Sequence, residues 1–276
     1  MRLAIIQLFV TDDKIDNVQR ACEFLEQAKK GGADIAVLPE MFCCPYSNSC
    51  FPSYAEPMDG FVQTTLSETA ARLNMTVVAG SYPEFCDGKI YNTSCVYGAD
   101  GSLIAKHRKM HLFDIDVQGG QRFFESETLT PGNQITTFET EFGKFGLCIC
   151  FDMRFEELSR IMALDGAQVI IVPGAFNMTT GPAHWELLFR QRAVDNQLFT
   201  VGVAPARDND GEYVSYAHSM AVSPWGKVLC DCGVEECVKF VEIDIDSIYS
   251  IRKQLPILSA RRSDIYEIGP INCDKE

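Results

Sequence analysis

Gly146–Glu157 reads G-L-C-I-C-F-D-M-R-F-E-E. The apolar run Phe145 to Phe151 stops abruptly in charge at Asp152 and Arg154, and a helical pattern follows. A short apolar run with that ending reads as a buried strand delivering its last residues to a rim. Cys148 and Cys150 are two apart, so a strand running through Cys150 puts both on one face. Cys150 is then the last thiol before a helix start, where the helix N-terminus and a nearby cation can draw a thiol toward thiolate. Taken alone, packing is the stronger reading, because free cysteine is among the most buried residue types.

The flanking chain alternates strands and helices. Leu3 to Val10 reads as a strand, and Asp12 or Asp13 caps a helix with apolar positions at Val18, Ala21, Cys22, Leu25 and Ala28. Gly31-Gly32 ends that helix, and Ile35 to Leu38 is a second strand closing on Pro39-Glu40. Strand–helix–strand is the signature of a layered α/β sheet. Met41 to Pro57 is a loop long enough to wall a pocket. A helix over Phe61–Leu73, a strand over Thr76–Ser81 and a hairpin of Tyr91–Gly98 with Leu103–Lys106 follow. His107 to Gly132 has no regular period, and a stretch this long without one is usually functional.

The second half predicts strands at Ile135–Thr140, Lys144–Cys150 and Val169–Val172, with helices at Phe155–Leu164 and Trp185–Asn196. Strands at Phe199–Ala204, Ser215–Val222, Lys227–Leu229 and Val238–Ile243 come next, with a hairpin turn at Pro224-Trp225-Gly226 and a last helix at Ile245–Lys253. Each half alternates strands with helices, so two sheets with outer helices is the natural arrangement. The late run of strands without helices argues against one open doubly wound sheet.

The chain has 276 residues, 46% of them apolar, enough for a large core and one or at most two domains. Its net charge is −14 with no Lys/Arg block, which argues against nucleic acid or an anionic membrane as partner. No apolar run is long enough to span a bilayer, and the N-terminus does not read as a signal peptide. Twelve cysteines form no secreted disulfide framework, so a reduced cytoplasmic setting is expected, with a mitochondrial pool left open. The sequons at Asn74, Asn92 and Asn177 carry no meaning there.

C-F-D-M-R-F at Cys150–Phe155, together with L-P-E at Leu38–Glu40 and H-R-K-M-H-L-F-D at His107–Asp114, resembles the nitrilase (carbon–nitrogen hydrolase) superfamily. That family uses a glutamate, a lysine and a cysteine in this chain order, and the resemblance covers roughly Arg2 to Glu267. It implies an α/β fold, a four-layer αββα sandwich of two mixed sheets flanked by helices, over 1–268, with a polar tail at 269–276. It also implies a homodimer and no cofactor. Glu40 ends an apolar strand; apolar walls would raise its pKa toward values useful for proton transfer. The resemblance makes Glu40 the general base, Lys109 the oxyanion-stabilising ammonium, Cys150 the nucleophile, and Glu125 a second glutamate orienting Lys109. Glu127 competes with Glu125 for that place. A lysine beside Cys150 would favour its thiolate.

Further segments resemble the ω-amidase branch of that superfamily: Pro173–Leu188, R-A-V-D-N-Q at Arg192–Gln197 and R-R-S-D-I-Y at Arg261–Tyr266. Such a branch implies small-molecule amide substrates, keto acids with a carboxylate far from the amide. Arg154, four residues after Cys150, suits bidentate capture of that carboxylate, with Tyr46, Phe176 and Thr180 lining the pocket. The competing role for Arg154 is a structural pair with Asp152 or Glu157. A deaminated-glutathione amidase of the same superfamily is the alternative. A different class, a thiol-rich metal- or redox-binding protein, is raised by the pairs Cys148/Cys150 and Cys230/Cys232, for which core packing of Cys148 and Cys230 is the simpler account. His107 and His111 have metal-ligand spacing only on a helix, which their segment does not predict. No metal and no nucleotide cofactor are expected.

Overall fold

A computed structural model describes residues 1–270, so most of the predicted tail, 271–276, lies outside the described residues. Along the chain come β1 (Arg2–Gln7), α1 (Lys14–Lys30), β2 (Ile35–Val37), the one-turn α2 (Phe51–Tyr54) and α3 (Phe61–Leu73). β3 (Thr76–Val78), β4 (Tyr82–Cys86), β5 (Lys89–Tyr97) and β6 (Leu103–Arg108) follow. A small separate hairpin is made by β7 (Asp114–Asp116) and β8 (Arg122–Phe124). The second half runs β9 (Thr136–Thr140), β10 (Gly143–Leu147), α4 (Glu156–Leu164), β11 (Val169–Pro173), α5 (Gly181–Asn196) and β12 (Phe199–Val203). It ends with β13 (Met220–Val222), β14 (Val228–Asp231), β15 (Cys237–Glu242) and α6 (Asp246–Gln254).

One sheet has the order β15-β1-β2-β3-β5-β4, with β6 also paired to β5; the other has the order β14-β13-β12-β11-β10-β9. Both mix parallel and antiparallel pairs. Alternation of side chains along each strand builds the layers. On β1, Leu3 and Ile5 face the second sheet while Ala4 and Ile6 face the helices. On β11, Val169 and Ile171 face the first sheet while Ile170 and Val172 meet Trp185 and Phe189 of α5. The result is the expected four-layer αββα sandwich, with α1 and α3 outside one sheet and α4 and α5 outside the other. α1 shows why the pattern works. The Asp13 carboxylate accepts from the Ile15 and Asp16 N–H groups at 2.9 and 3.0 Å, and Val18, Ala21, Leu25 and Ala28 are buried. Each buried Val or Leu there contributes about 1.5–3 kcal/mol. Among the described residues no helix is long and apolar enough to cross a membrane.

Four expectations change. The strand toward Cys150 stops at Leu147, and Cys150–Arg154 is a 3₁₀ turn, so Cys148 and Cys150 do not share a strand face. Cys150 has φ 48°, which breaks the ladder. Ser215–Val222 is a strand only from Met220, because Ala217 and His218 are also left-handed. β4 was not expected: Pro83 and the buried Glu84 hide its pattern. The irregular 107–132 stretch contains the end of β6, the β7–β8 hairpin and a 3₁₀ turn at Glu125–Glu127.

β2 ends against Gly80, which carries φ +55° just beyond β3. A Cβ there would come within 2.1 Å of the Pro39 carbonyl oxygen, so only glycine lets the segment bearing Glu40 lie this close. Gly80→Ala combines a left-handed penalty with backbone overlap and is expected to destabilise the protein by about 1–3 kcal/mol. Urea unfolding checks this; an unchanged midpoint would show that the close approach is not needed.

Candidate active site

Strand ends bring the central groups together. Glu40 lies just beyond β2, Lys109 just beyond β6, and Cys150 three residues beyond β10, while Glu125 opens the 3₁₀ turn after β8. All four side chains are buried. Lys109 Nζ lies 2.9 Å from Glu40 Oε1 and 2.9 Å from Glu125. Tyr46 donates to Glu125 Oε1 at 2.6 Å and receives a hydrogen bond from Lys109 Nζ at 3.2 Å. Asn92 Nδ2 donates to Glu40 Oε1 at 2.8 Å. Among the described residues Glu40 Oε2 has no hydrogen-bond partner, and the Glu40 carboxyl lies close enough to the Cys150 thiol for each to shift the other. Glu127, by contrast, is exposed and takes no part.

Backbone contacts hold these side chains in register. The Lys109 N–H donates to the Asn92 carbonyl at 2.8 Å, and its carbonyl accepts from Gly132 at 2.8 Å. The Phe113 N–H donates to Glu125 Oε2 at 2.6 Å. Cys150 sits on a sharp strand-to-helix turn in a left-handed conformation, which places its side chain at the sheet rim at the cost of local strain.

Asp152 braces the two halves. Its Oδ1 accepts from the N–H groups of Met110 and His111 at 3.2 and 2.9 Å and meets the His111 ring at 2.7 Å. Its Oδ2 accepts from the Ile149 N–H at 3.0 Å and meets the His107 ring at 3.0 Å. Burial would raise this carboxyl, but the two histidines and the amides outweigh it and hold it well below the usual carboxylate range. The two histidines that flank Lys109 thus serve a carboxylate.

Electrostatics corrects one expectation. Burial, reinforced by Glu40 and opposed by Lys109, pushes the Cys150 thiol well above its ordinary value, so in the free site it is a thiol rather than a thiolate. Burial likewise raises Glu40, against the pull of Lys109. Burial alone would lower Lys109, but Glu125 and Glu40 prevail and keep it an ammonium. The arrangement holds an uncharged thiol against a carboxyl of raised pKa, with a permanent cation alongside.

A cleft lined by Glu40, Tyr46, Ala175 and Tyr213 opens onto this cluster. Tyr46, expected as a pocket wall, lines it and also bonds the charged groups. Phe176 does not line it; it is buried edge-on to Trp185, under the Arg154 guanidinium at 4.7 Å. Thr180 is a correction: its N–H and hydroxyl both donate to Asn177 Oδ1, at 2.9 and 3.0 Å, fixing the start of α5 instead of a wall. Arg154 pairs with neither Asp152 nor Glu157. Among the described residues it meets no carboxylate, only His184 Nδ1 at 3.1 Å, and its buried Nε has no partner. Arg192 of α5 fixes its backbone by donating to the carbonyls of Met153 and Arg154 at 3.2 and 2.9 Å.

Asn92, Tyr213 and Asp152 were not singled out from sequence. The signal for Asn92 was a polar residue inside a strand that is otherwise buried; it had been noticed only as a sequon. Tyr213 arrives from a loop, its hydroxyl bonded to the Ala175 carbonyl.

The carbon–nitrogen hydrolase family model matches residues 2–253. Omega-amidase NIT2 of Bos taurus is 51% identical over 97% of both chains, and that of Homo sapiens 50% over the same shares. Among solved structures, Saccharomyces cerevisiae Nit3, a member of branch 10 of the nitrilase superfamily, has a TM-score of 0.88 at 42% identity, covering 95% of this chain and 96% of its own. The strand-end cluster of glutamates, lysine and cysteine therefore stands in a hydrolase of carbon–nitrogen bonds: the chain belongs to the carbon–nitrogen hydrolase family of the nitrilase superfamily.

Proposed function

We propose that this enzyme is an ω-amidase, hydrolysing the terminal amide of 2-oxo dicarboxylic acid monoamides such as 2-oxoglutaramate and 2-oxosuccinamate. The observation that carries the substrate reading is Arg154: a half-buried guanidinium, stacked over Phe176 and Phe151, with no carboxylate partner among the described residues. Such a cation is costly to desolvate unless an anion comes to it. The α-carboxylate of these keto acids is a suitable anion, at the end of the molecule away from the amide. The names of the mammalian relatives support the same reading.

In this mechanism the Cys150 sulfur attacks the amide carbon while Glu40 takes the thiol proton. Concerted transfer suits a neutral thiol, because no free thiolate is needed. The negative charge on the carbonyl oxygen forms beside the Lys109 ammonium, which Glu125 and Tyr46 keep in place. Glu40 returns the proton to the amide nitrogen, the C–N bond breaks, ammonia leaves and a thioester remains. Water then attacks the thioester, giving a proton to Glu40, which passes it to the departing sulfur.

Cys150→Ala is expected to lower ammonia release by roughly 10⁴–10⁶-fold and to abolish the acyl adduct on that peptide. An acyl group mapped to Cys148 would refute the assignment. Glu40 must be ionised to accept the proton, so activity is lost as pH falls through its raised pKa. The acid limb of kcat/KM is therefore expected above the ordinary glutamate range. A limb at or below pH 4.5 would contradict this base.

Arg154→Lys keeps the charge and loses the fork. It is expected to lower kcat/KM on 2-oxoglutaramate by about ten- to a hundredfold, with little effect on a simple linear amide lacking the carboxylate. Equal loss on both substrates would make Arg154 structural. Faster ammonia release from deaminated glutathione than from 2-oxoglutaramate would favour the alternative amidase.

A further inference from the structure

Cys230, Cys232 and Cys237 meet where the two sheets share an open margin, and none of them lines the cleft. β14 is the edge strand of one sheet and β15 the edge strand of the other. Cys230 and Cys232 turn toward the space between the sheets, whereas Leu229 and Asp231 between them are exposed. Cys237 opens β15 and packs into the same inter-sheet core. Cys230 thus packs against the inter-sheet core as expected from sequence, but half-buried and at its margin.

The Cys237 sulfur lies 3.9 Å from the Cys232 carbonyl oxygen, and both side chains pack into the same inter-sheet core. All three are free thiols. The turn joining the strands is held from β1: Gln7 Nε2 donates to the carbonyls of Gly233 and Glu235 at 3.1 and 2.8 Å. Cys230 and Cys232 are two residues apart on one extended segment, so their Cα atoms are about 6.6 Å apart, at the outer limit of disulfide reach. Cys237 instead reaches Cys232 from across the turn, its sulfur against the Cys232 backbone.

We propose that Cys232 and Cys237 form a peroxide-reactive dithiol that closes to a disulfide and so fastens the edge strand of one sheet to that of the other. The Cys237 thiolate attacks the terminal oxygen of a hydroperoxide. The O–O bond breaks, the alcohol or water leaves with a proton, and sulfur gains two oxidation equivalents as sulfenic acid. The Cys232 sulfur then displaces that hydroxyl, which departs as water with the Cys232 proton. Two thiols and one hydroperoxide give one disulfide, one alcohol (or water) and one water.

The surroundings favour this chemistry here over Cys150. The Cys232 side chain, aided by the Lys239 ammonium against burial, draws Cys237 below the ordinary thiol value. The neighbouring Cys232 thiol also draws Cys230 down, to about 7. Lys239 is anchored on the Asp231 carbonyl at 2.8 Å. Burial pushes Cys150 the other way, so the margin thiols react first.

The test treats the full-length reduced enzyme with hydrogen peroxide, blocks remaining thiols, and cleaves at Asp231, Glu235 and Glu236 so that the three cysteines fall on separate fragments. The expected product is a Cys232–Cys237 linked pair that appears before oxidation of Cys150, survives in Cys230→Ser and disappears in Cys237→Ser. Unmodified fragments when Cys150 is already oxidised would overturn the proposal, as would a link from Cys230. Because wild-type protein supplies the primary readout, poor folding of a variant leaves the answer intact.

Discussion

A lysine ammonium shut between two glutamates is the constraint on which the rest of this molecule turns. Lys109, Glu40 and Glu125 are all removed from water, and each leans on the others. Their desolvation is offset only while all three stay together; stripping one partner from such a set typically costs about 3–5 kcal/mol. The cluster draws together β2, β6 and the turn after β8, which are far apart in sequence. Folding and chemistry therefore answer to the same contacts. A chain that misplaces one of these segments leaves a buried charge without its partner.

The Cys150 segment is tied in by a second carboxylate. Asp152 gathers the two histidines on either side of Lys109, two amides of that segment, and the amide of Ile149. This fixes the lysine loop to the cysteine turn without placing another charge beside the nucleophile. It also explains how Cys150 can be kept in a left-handed conformation, since the turn is bonded on both sides of it. Arg192 completes the support from the outer layer through the Met153 and Arg154 carbonyls.

Much of this was legible before folding. Glu40, Lys109 and Cys150 each follow a run whose apolar pattern marks a strand, and strand ends gather at the rim of a layered fold. The first helix was legible too, because Asp13 and Gly31 leave local chemical marks at its two ends. What was not legible depends on tertiary proximity or on buried polarity. Glu84 in β4 is buried because Arg108 and Lys106 reach it from β6, a pairing with no local signature. Asn92 reads as a surface residue until β5 is set beside Glu40. The state of the Cys150 thiol was misjudged for the same reason: its neighbours suggested activation, but the depth of burial outweighs them.

The pairing of β1 with β15 runs antiparallel from Arg2↔Glu242 to Gln7↔Cys237. β1 is therefore completed by a strand that lies far later in the chain. Throughout synthesis β1 can pair with β2 yet keeps its other flank of amides and carbonyls bare, the kind of edge that recruits foreign strands. Closure by so distant a partner also gives the chain a high contact order, which slows folding. Newly made chains thus carry a sticky seam until β15 has been made and can cover it.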